Sequence, residues 1–411
     1  MARLRGAARE DPVSAAGRSI GGVPIPFPIQ RADGSAVPSD EQLAAALARV
    51  IDPDIRRPIT ELDMVERVTV DGGGRISVRV LLTVAGCPLK DRIHRDVTDA
   101  LRDLPGVSEV FVDLGYMSDE QRRALQEKLR GPGGRDKHIP FADPDSLTRV
   151  YAVASGKGGV GKSSVTVNLA AELARRGLSV GLVDADIYGH SVPRMLGATG
   201  RPTKVENMIM PVTAHDVRVI SIGMFIEGNT AIAWRGTMLH RALNQFLADV
   251  FWGDLDILLV DLPPGTGDVT ISLAQFLPNA EIIVVTTPQL AAAEVAERAG
   301  SIATVTRQHV VGVVENMSWL PCPHCGGRVE VFGSGGGDAV AEALTRQLGA
   351  PVGVLGRIPL DPRMVRCGDD GRPFVLAYPE APAATALREV ADRLAVRARN
   401  LAGRSLRLQP V

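Results

Sequence analysis

The stretch Ser155-Gly156-Lys157-Gly158-Gly159-Val160-Gly161-Lys162-Ser163-Ser164 decides the fold of this chain. It fits the pattern Gly-x-x-x-x-Gly-Lys-[Ser/Thr], a loop whose backbone N–H groups surround a polyphosphate. Residues 149–154 before it form an apolar run typical of a buried strand, and residues 165–176 after it have the pattern of a helix that stops at Gly177. Strand, loop and helix in this order predict a phosphate site at the start of the helix.

The residue types in this loop indicate how it would bind ATP. Lys162 is expected to reach the β- and γ-phosphates, and the Ser163 hydroxyl is expected to bind Mg²⁺. A glycine-rich turn before an ordinary helix is the competing interpretation, but it does not account for the complete motif in this context. The predicted ATP-binding residues are Gly156, Lys157, Gly158, Gly159, Val160, Gly161, Lys162, Ser163 and Ser164.

Composition excludes several classes of protein. The net charge of −1 over 411 residues gives no general attraction to nucleic acid or to an anionic membrane. No apolar run reaches the ~18 residues of a membrane span, and the N-terminal region lacks the apolar core of a secretory signal. Four cysteines in a chain of this length do not form a disulfide framework. We expect a cytoplasmic protein that acts without nucleic acid or membrane.

Periodicity divides the chain into segments of different character. Residues 1–38 are Gly/Pro-rich and predict a disordered lead-in, residues 39–116 a small α+β domain, and residues 117–147 a helix with a linker. Ser118 and Gln121 are expected to form a capping box for that helix. Residues 148–403 alternate strands and helices, as in a mostly parallel sheet covered by helices on both faces, and residues 404–411 form a tail. Strands of this α/β domain are predicted at 150–155, 179–184, 217–222, 256–261, 281–286, 310–315 and 352–356.

Two strands end in carboxylates that a nucleotide site would use. Four apolar residues precede Asp261, as in a Walker B strand, so we expect Asp261 to hold Mg²⁺ through its water shell. A second strand ends in Asp184-Ala185-Asp186, and Asp186 is our candidate for orienting the attacking water. For either aspartate, the simpler alternative is a side chain that caps the following helix.

In having both Lys157 and Lys162, together with Asp184-Ala185-Asp186, the chain resembles the deviant Walker A ATPases, a group with MinD-like, ParA-like and nitrogenase iron-protein members. The resemblance implies that Lys157 reaches the nucleotide of a partner subunit, where a second cation stabilises accumulating negative charge. It also implies that Asn316, after another strand, contacts adenine. The alternative for Asn316 is a side chain that satisfies local backbone groups.

Longer stretches sharpen this likeness. Residues 148–375 closely resemble the Mrp/ApbC family of iron–sulfur cluster carrier ATPases, and residues 40–115 are similar to a small domain fused in front of many bacterial members. His190 departs from the family, which usually has Pro there. The stretches that carry the resemblance are DADIYGHSVPRMLG (184–197), WRGTMLHRAL (234–243), VFWGDLDILLVDLPPGTGD (250–268), VVENMSWLPCPHCG (313–326), VFGSGGG (331–337) and LGRIPLDP (355–362).

Cys322 and Cys325 form the only C-x-x-C pair of the sequence. Two thiolates at this spacing bind one soft metal, but zinc and [4Fe–4S] sites need four ligands. The simplest completion is a twofold dimer in which each chain donates both cysteines. A zinc site, with or without His324, a redox pair and an inert loop are the alternatives, and the family resemblance favours a labile [4Fe–4S] cluster.

The remaining cysteines are single. Cys87 precedes Pro88 at the start of a predicted helix, where a thiol becomes more reactive, and the small-domain resemblance implies a role in cluster assembly. A half-buried apolar residue is the alternative there. Cys367 is expected to be structural.

Together these features predict a homodimeric ATPase that carries a bridging [4Fe–4S] cluster and transfers it to apoproteins, after receiving it from scaffold or donor proteins. Lys157, Lys162 and Asp186 are the predicted catalytic residues. A partitioning or positioning ATPase acting on DNA or membrane is the first alternative, but it leaves the cysteine pair unexplained. A non-enzymatic zinc-bridged scaffold is the second.

Overall fold

The computed structural model divides the chain into two units, residues 1–133 and 134–411. The division falls inside the segment that we expected to be a helix with a linker. The described residues are 19–20, 23–31, 38–53, 55–83, 90–130, 138–143, 145–186, 189, 191–225, 236–265, 268–289, 301, 303–304, 306 and 308–395.

The first unit contains a four-stranded sheet in the order β3-β4-β5-β6, with buried apolar residues of α1 and α2 contributing to its core. The predicted capping box is confirmed: the Ser118 N–H donates to Gln121 Oε1 at 2.8 Å, and the Gln121 N–H donates to Ser118 Oγ at 3.2 Å. The elements are β1 (Ser19–Ile20), β2 (Val23–Pro24), β3 (Ile29–Arg31), α1 (Asp40–Leu47), β4 (Val65–Val70), β5 (Arg75–Leu82), α2 (Lys90–Arg102), β6 (Glu109–Tyr116) and α3 (Asp119–Arg130).

Part of the segment expected to be disordered belongs to this sheet. Ile29 pairs in parallel with Val68, and Phe27 is 6% exposed. The expectation for residues 1–38 is therefore wrong for this stretch. Its Gly/Pro-rich composition conceals a strand of only three residues, which is ordered by its neighbour β4 and not by its own periodicity.

The second unit contains the large sheet. Within the described residues it has eight strands in the order β11-β12-β8-β13-β7-β14-β15-β18, all parallel except the edge strand β11. The seven predicted strands are all present, which confirms the predicted α/β architecture. The strands of this unit are β7 (Arg149–Ala154), β8 (Val180–Asp184), β9 (Thr203–Val205), β10 (Met208–Met210), β11 (Val212–Ala214), β12 (Val217–Ser221), β13 (Ile257–Asp261), β14 (Glu281–Thr286), β15 (Val310–Asn316), β16 (Leu320–Pro321), β17 (Arg328–Val329) and β18 (Val354–Ile358).

Helices cover both faces of this sheet. Successive residues of β13 point to opposite faces, so Leu259 joins one buried cluster and Leu258 the other. Leu387 and Leu394 of the last described helix are fully buried in the Leu259 cluster, so this helix docks on the sheet. The helices are α4 (Lys162–Arg175), α5 (Val192–Leu196), α6 (Gly236–Ala248), α7 (Asp268–Phe276), α8 (Gly336–Leu348), α9 (Arg363–Asp369), α10 (Phe374–Ala377) and α11 (Pro382–Ala395), with 3-10 turns at Pro140–Ala142 and Ile222–Phe225.

The parallel register brings the functional residues to one edge of the sheet. Asp184 at the end of β8 is directly beside Asp261 at the end of β13 and Ser221 at the end of β12. The phosphate loop follows β7, the next strand along. None of the helices in the described part of the chain is long and apolar enough to cross a membrane.

Candidate functional site

The phosphate loop has the backbone shape that its glycines predict. Gly159 and Gly161 have φ of +79° and +78°, which strains any other residue. A Cβ at Gly161 would also lie 2.3 Å from Asn316 Nδ2. Gly161 caps α4, so the N–H groups of the first turn of this helix face the loop. The loop therefore presents the anion-binding surface that the sequence indicated.

Lys162, Ser163 and Asp261 form one cluster at the start of α4. Lys162 Nζ lies 2.8 Å from Asp261 Oδ2, and Ser163 Oγ donates to the same carboxylate oxygen at 2.6 Å. The Lys162 side chain is 6% exposed and the Asp261 side chain is fully buried. The buried lysine charge is thus paired with a buried carboxylate, as buried charges require.

This donor set fits Mg²⁺. The hydroxyl of Ser163 and the carboxylate of Asp261 supply two hard oxygen ligands within hydrogen-bond distance of each other. Thr166 stabilises the other oxygen of this carboxylate, since its Oγ1 donates to Asp261 Oδ1 at 2.9 Å. The two residues predicted from sequence to hold the metal are therefore brought together.

Asp184 is a feature of the site that the sequence interpretation did not assign. Burial raises its pKa, the charge of Asp261 raises it further, and these effects outweigh the hydrogen bond from Ser221, so that the pKa is about 8. Ser221 Oγ donates to Asp184 Oδ2 at 2.9 Å. The sequence shows only that Asp184 ends an apolar strand; its place directly beside Asp261 comes from the register of β8 with β13. Neighbouring buried carboxylates cannot both ionise easily.

Asp186, the candidate for orienting water, lies in the loop after β8 and is half-buried. Its carboxylate accepts a hydrogen bond from the Gly189 N–H at 3.1 Å, which shapes this loop. Its own N–H donates to Asp184 Oδ1 at 3.2 Å. Asp186 thus lies two residues after Asp184, and its backbone is bonded to the Asp184 carboxyl group.

Asn316 holds the phosphate loop directly. Its side chain is buried, and Nδ2 donates to the Val160 carbonyl oxygen at 2.9 Å. This contact is to the phosphate loop, 156 positions away in sequence, and not to the local backbone groups that the sequence offered as the alternative to an adenine contact. The amide oxygen of Asn316 is the acceptor that an adenine amino group would need.

Lys157 is held within its own chain. Lys157 Nζ donates to Gln289 Oε1 at 2.5 Å. Gln289 follows β14, the neighbour of β7, and nothing in its local sequence indicated this contact. Lys157 therefore stays at the phosphate loop, where its ammonium group is bound by a neutral amide.

The cysteine pair occupies the turn of a short hairpin between β16 and β17. Leu320 pairs with Val329, and the turn is closed by hydrogen bonds from the Cys322 N–H to the Gly327 carbonyl and from the Gly326 N–H to the Cys322 carbonyl, both 2.8 Å. Cys325 is exposed and Cys322 half-buried. The Cys325 thiol is thus accessible to solvent and the Cys322 thiol partly so.

The backbone of this turn activates one thiol. The N–H groups of His324 and then Cys325 bond to the Cys322 sulfur and lower the pKa of its thiol. By contrast, burial raises the pKa of Cys367 in α9. Among the residues that the structure describes, no three His, Cys, Asp or Glu side chains are grouped to hold a metal. The described part of one chain therefore offers a pair of thiols and no complete metal cage.

Three buried hydroxyls have no hydrogen-bond partner within the part of the chain that the structure describes. They are the side-chain oxygens of Ser155, Thr270 and Thr287. All three follow or begin elements at the carboxyl edge of the sheet. Buried polar groups are normally satisfied, so these are sites where water or ligand is expected. Cys87 and His190, which the sequence singled out, lie outside the described residues.

Comparison with known proteins gives a consistent set of relatives. A family model described as the NUBPL iron-transfer P-loop NTPase matches residues 146–395, and one described as an iron–sulfur cluster assembly protein matches residues 40–112. A protein of Mycobacterium tuberculosis named iron-sulfur cluster carrier protein is 62% identical over 90% of this chain and 96% of its own length. One of the same name from Deinococcus radiodurans is 45% identical over 87% of this chain and 95% of its own length.

Solved structures match part of this chain. A nucleotide-binding protein of Archaeoglobus fulgidus in complex with ADP is 34% identical, covers 56% of this chain and 93% of its own, and has a TM-score of 0.48. The septum site-determining protein MinD of Pyrococcus horikoshii with Mg-ADP is 22% identical, covers 60% of this chain and 96% of its own, and has a TM-score of 0.43.

Proposed function

The chain belongs to the family of iron-transfer P-loop NTPases, and from this premise we propose that it binds and hydrolyses ATP and carries a [4Fe–4S] cluster to apoproteins as a homodimer. The cluster is the cargo, and it bridges two subunits through Cys322 and Cys325 of each. One observation carries the proposal: a single short segment runs from Asn316, which is hydrogen-bonded to Val160 of the phosphate loop, to Cys322, the half-buried member of the thiol pair.

ATP binding is supported by the cluster of Lys162, Ser163 and Asp261. When the phosphates enter the loop, Lys162 exchanges its contact with Asp261 for the β- and γ-phosphates, which offer a larger negative charge. This exchange leaves Ser163 and Asp261 as oxygen ligands for Mg²⁺. The metal, when bound, neutralises charge on the phosphates. The remaining residues of the loop that we propose to contact ATP are Gly156, Lys157, Gly158, Gly159, Val160, Gly161 and Ser164.

Hydrolysis is assigned to three residues. Lys162 stabilises charge on the transferred phosphoryl group, and Asp186 orients the attacking water from its loop beside the carboxyl pair. Lys157 of one subunit completes the site of the other. Because the site of a single chain lacks this second cation, we expect hydrolysis to depend on protein concentration.

Cluster carriage is supported by the chemistry of the hairpin turn. The lowered pKa of Cys322 favours the thiolate that binds iron, and the exposure of Cys325 permits exchange with another protein. Two thiolates fill half of the four positions that a [4Fe–4S] cluster presents to protein. A second copy of the chain supplies the other half with the fewest assumptions. The partners are apoproteins and cluster donor proteins, and we propose a cytoplasmic location.

The test begins with purification in the absence of oxygen. Brown protein with iron and sulfide in the ratio of one cluster to two chains, which activates an apo-enzyme that requires [4Fe–4S], is the expected result. Colourless protein loaded with zinc would contradict cluster carriage and favour a scaffold. Binding to DNA or liposomes only with ATP would favour a partitioning or positioning ATPase.

A substitution then separates ATP hydrolysis from cluster carriage. Lys162→Ala is expected to abolish phosphate release and to stop cluster delivery, while iron binding to the assembled protein persists. Phosphate release is measured with Mg-ATP over a range of protein concentrations. Unimpaired delivery by this variant would show that hydrolysis and transfer are independent.

A further inference from the structure

Lys157 and Gln289 are joined across the edge of the sheet although 132 positions separate them in sequence. Lys157 is three residues past the end of β7, and Gln289 is three residues past the end of β14. These strands are neighbours in parallel register, so the two loops emerge side by side. The topology of the sheet therefore creates the contact between Lys157 Nζ and Gln289 Oε1.

The backbone that presents Gln289 is fixed by close packing. A Cβ at Gly336 would lie 2.5 Å from the Thr287 carbonyl oxygen and 2.6 Å from that of Pro288, so only glycine allows α8 to start there. Thr287 is itself buried. The two residues before Gln289 thus press directly against the start of α8. Gln289 is a rigidly supported acceptor, although its side chain is exposed.

We propose that Gln289 is a positioning residue that retains Lys157 within its own subunit until a second nucleotide-loaded copy approaches. This inference rests on the proposed dimer, in which Lys157 acts on the partner's nucleotide. The Lys157 ammonium must leave Gln289 to make that contact. The Lys157–Gln289 hydrogen bond therefore opposes assembly and sets the protein concentration at which hydrolysis begins.

The chemistry of an amide suits this task. A neutral oxygen holds the ammonium without cancelling its charge, so the phosphates of a partner compete for Lys157 with a clear advantage. A carboxylate at the same position would form an ion pair and retain the lysine more strongly. An aliphatic side chain would not retain it at all. The identity of residue 289 therefore tunes the assembly threshold in both directions.

Gln289→Ala and Gln289→Glu provide a matched pair of variants. Both side chains are accessible to solvent, so we expect one bond to be worth about threefold in affinity, and a twofold dimer breaks two of them, about tenfold in total. Gln289→Ala should lower the concentration for half-maximal ATP hydrolysis about tenfold, and Gln289→Glu should raise it by at least about the same factor. The maximal rate at saturating protein concentration should stay unchanged. A structural defect at residue 289 would lower that rate as well.

Sedimentation of the full chain with Mg-ATP provides the second measurement, since the dimer fraction should shift with the hydrolysis curve. Because Lys157 is itself assigned to hydrolysis, the control in a Lys157→Ala background is read from the dimer fraction alone, which the two substitutions at Gln289 should leave unchanged. With Lys157 present, the concentration for half-maximal hydrolysis should shift in opposite directions for the two variants. A shift in the same direction for both, or no shift for either, would overturn the role of Gln289. If Lys157→Ala itself left the concentration dependence of hydrolysis unaltered, the proposed dimer mechanism would fail instead.

Discussion

Asp184 and Asp261 lie side by side at the ends of adjacent parallel strands, and both carboxyl groups are fully buried. Only Asp261 has a cation within ion-pair distance among its described neighbours, namely Lys162. Asp184 has the Ser221 hydroxyl, and its pKa is raised to about 8 by burial and by the charge of Asp261. Near neutral pH the Asp184 carboxyl group therefore retains its proton.

Replacing Asp184 with Asn should alter the pH dependence of stability. Because the folded pKa of about 8 exceeds the ordinary value, Asp184 contributes stability that is complete below about pH 4 and is lost as the pH rises towards 8. Asn cannot titrate, so from pH 5 to pH 8 the free energy of unfolding of Asp184→Asn should rise by about 1 kcal/mol or more relative to the wild type.

Urea unfolding in EDTA, without nucleotide, is the measurement. The three tryptophans all lie in the second unit, at positions 234, 252 and 319, so their fluorescence follows that unit alone. Parallel pH profiles for the two proteins would contradict the buried carboxyl pair.

Gly161→Ala and Gly158→Ala test the shape of the phosphate loop. Alanine at 161 must adopt a φ of +78° and place its Cβ 2.3 Å from Asn316 Nδ2, whereas a Cβ at 158 meets nothing within 4 Å. We expect Gly161→Ala to lower the free energy of unfolding by about 1–3 kcal/mol and Gly158→Ala to change it by less than about 0.5 kcal/mol. Thermal unfolding without nucleotide measures both. Equal losses would argue against the Gly161–Asn316 packing.

Asn316→Ala should weaken nucleotide binding in two ways that selectivity can separate. Loss of the hydrogen bond to the Val160 carbonyl should reduce the affinity for ATP and GTP alike by about fivefold. Loss of an acceptor for the adenine amino group should reduce the affinity for ATP by a further factor of about five. Calorimetric titration with each Mg-nucleotide gives both factors. An equal loss of affinity for ATP and GTP would support the contact of Asn316 with the loop and contradict its contact with adenine.

Cys322→Ala and Cys367→Ala compare an activated thiol with a buried one. Cys322 stands in the exposed turn with a lowered pKa, while Cys367 is 6% exposed in α9 with a raised pKa. Iron and sulfide bound after anaerobic reconstitution should fall to near zero for Cys322→Ala and stay at the wild-type ratio for Cys367→Ala. Retention of cluster by Cys322→Ala would place the cargo elsewhere.

Much of the large domain could be predicted because its strands are buried on both faces and read as continuous apolar runs. Strands 257–261 and 281–286 are bounded by the sequence alone to within a residue of the structure. The edge strand β11 and the strand Ile29–Arg31 were missed, since three-residue strands have too little periodicity to stand out. Their order comes from the neighbouring strands with which they pair.

The candidate site was predictable where local sequence encodes local geometry. Two short patterns predict this part of the site: the phosphate loop, which contains Lys162 and Ser163, and the apolar strand that ends in Asp261. The structure brings the three side chains together. The Lys157–Gln289 contact depends on which strands are neighbours, a property of the whole sheet that no short stretch contains. The same holds for Asp184, whose burial follows from its register with β13.

The tether from Asn316 to Cys322 restricts how this protein could be re-engineered. Cys322 comes six positions after Asn316, whose side chain is bonded to the phosphate loop, so the segment between them spans at most ~22 Å. We expect transfer of the hairpin to another ATPase of this architecture to require two features of the recipient. Its strand must end at the position equivalent to Asn316, and the side chain there must bond to the phosphate loop as Asn316 does. We expect insertion of one glycine between Asn316 and Cys322 to leave the thiol pair intact and to weaken any response of the hairpin to nucleotide.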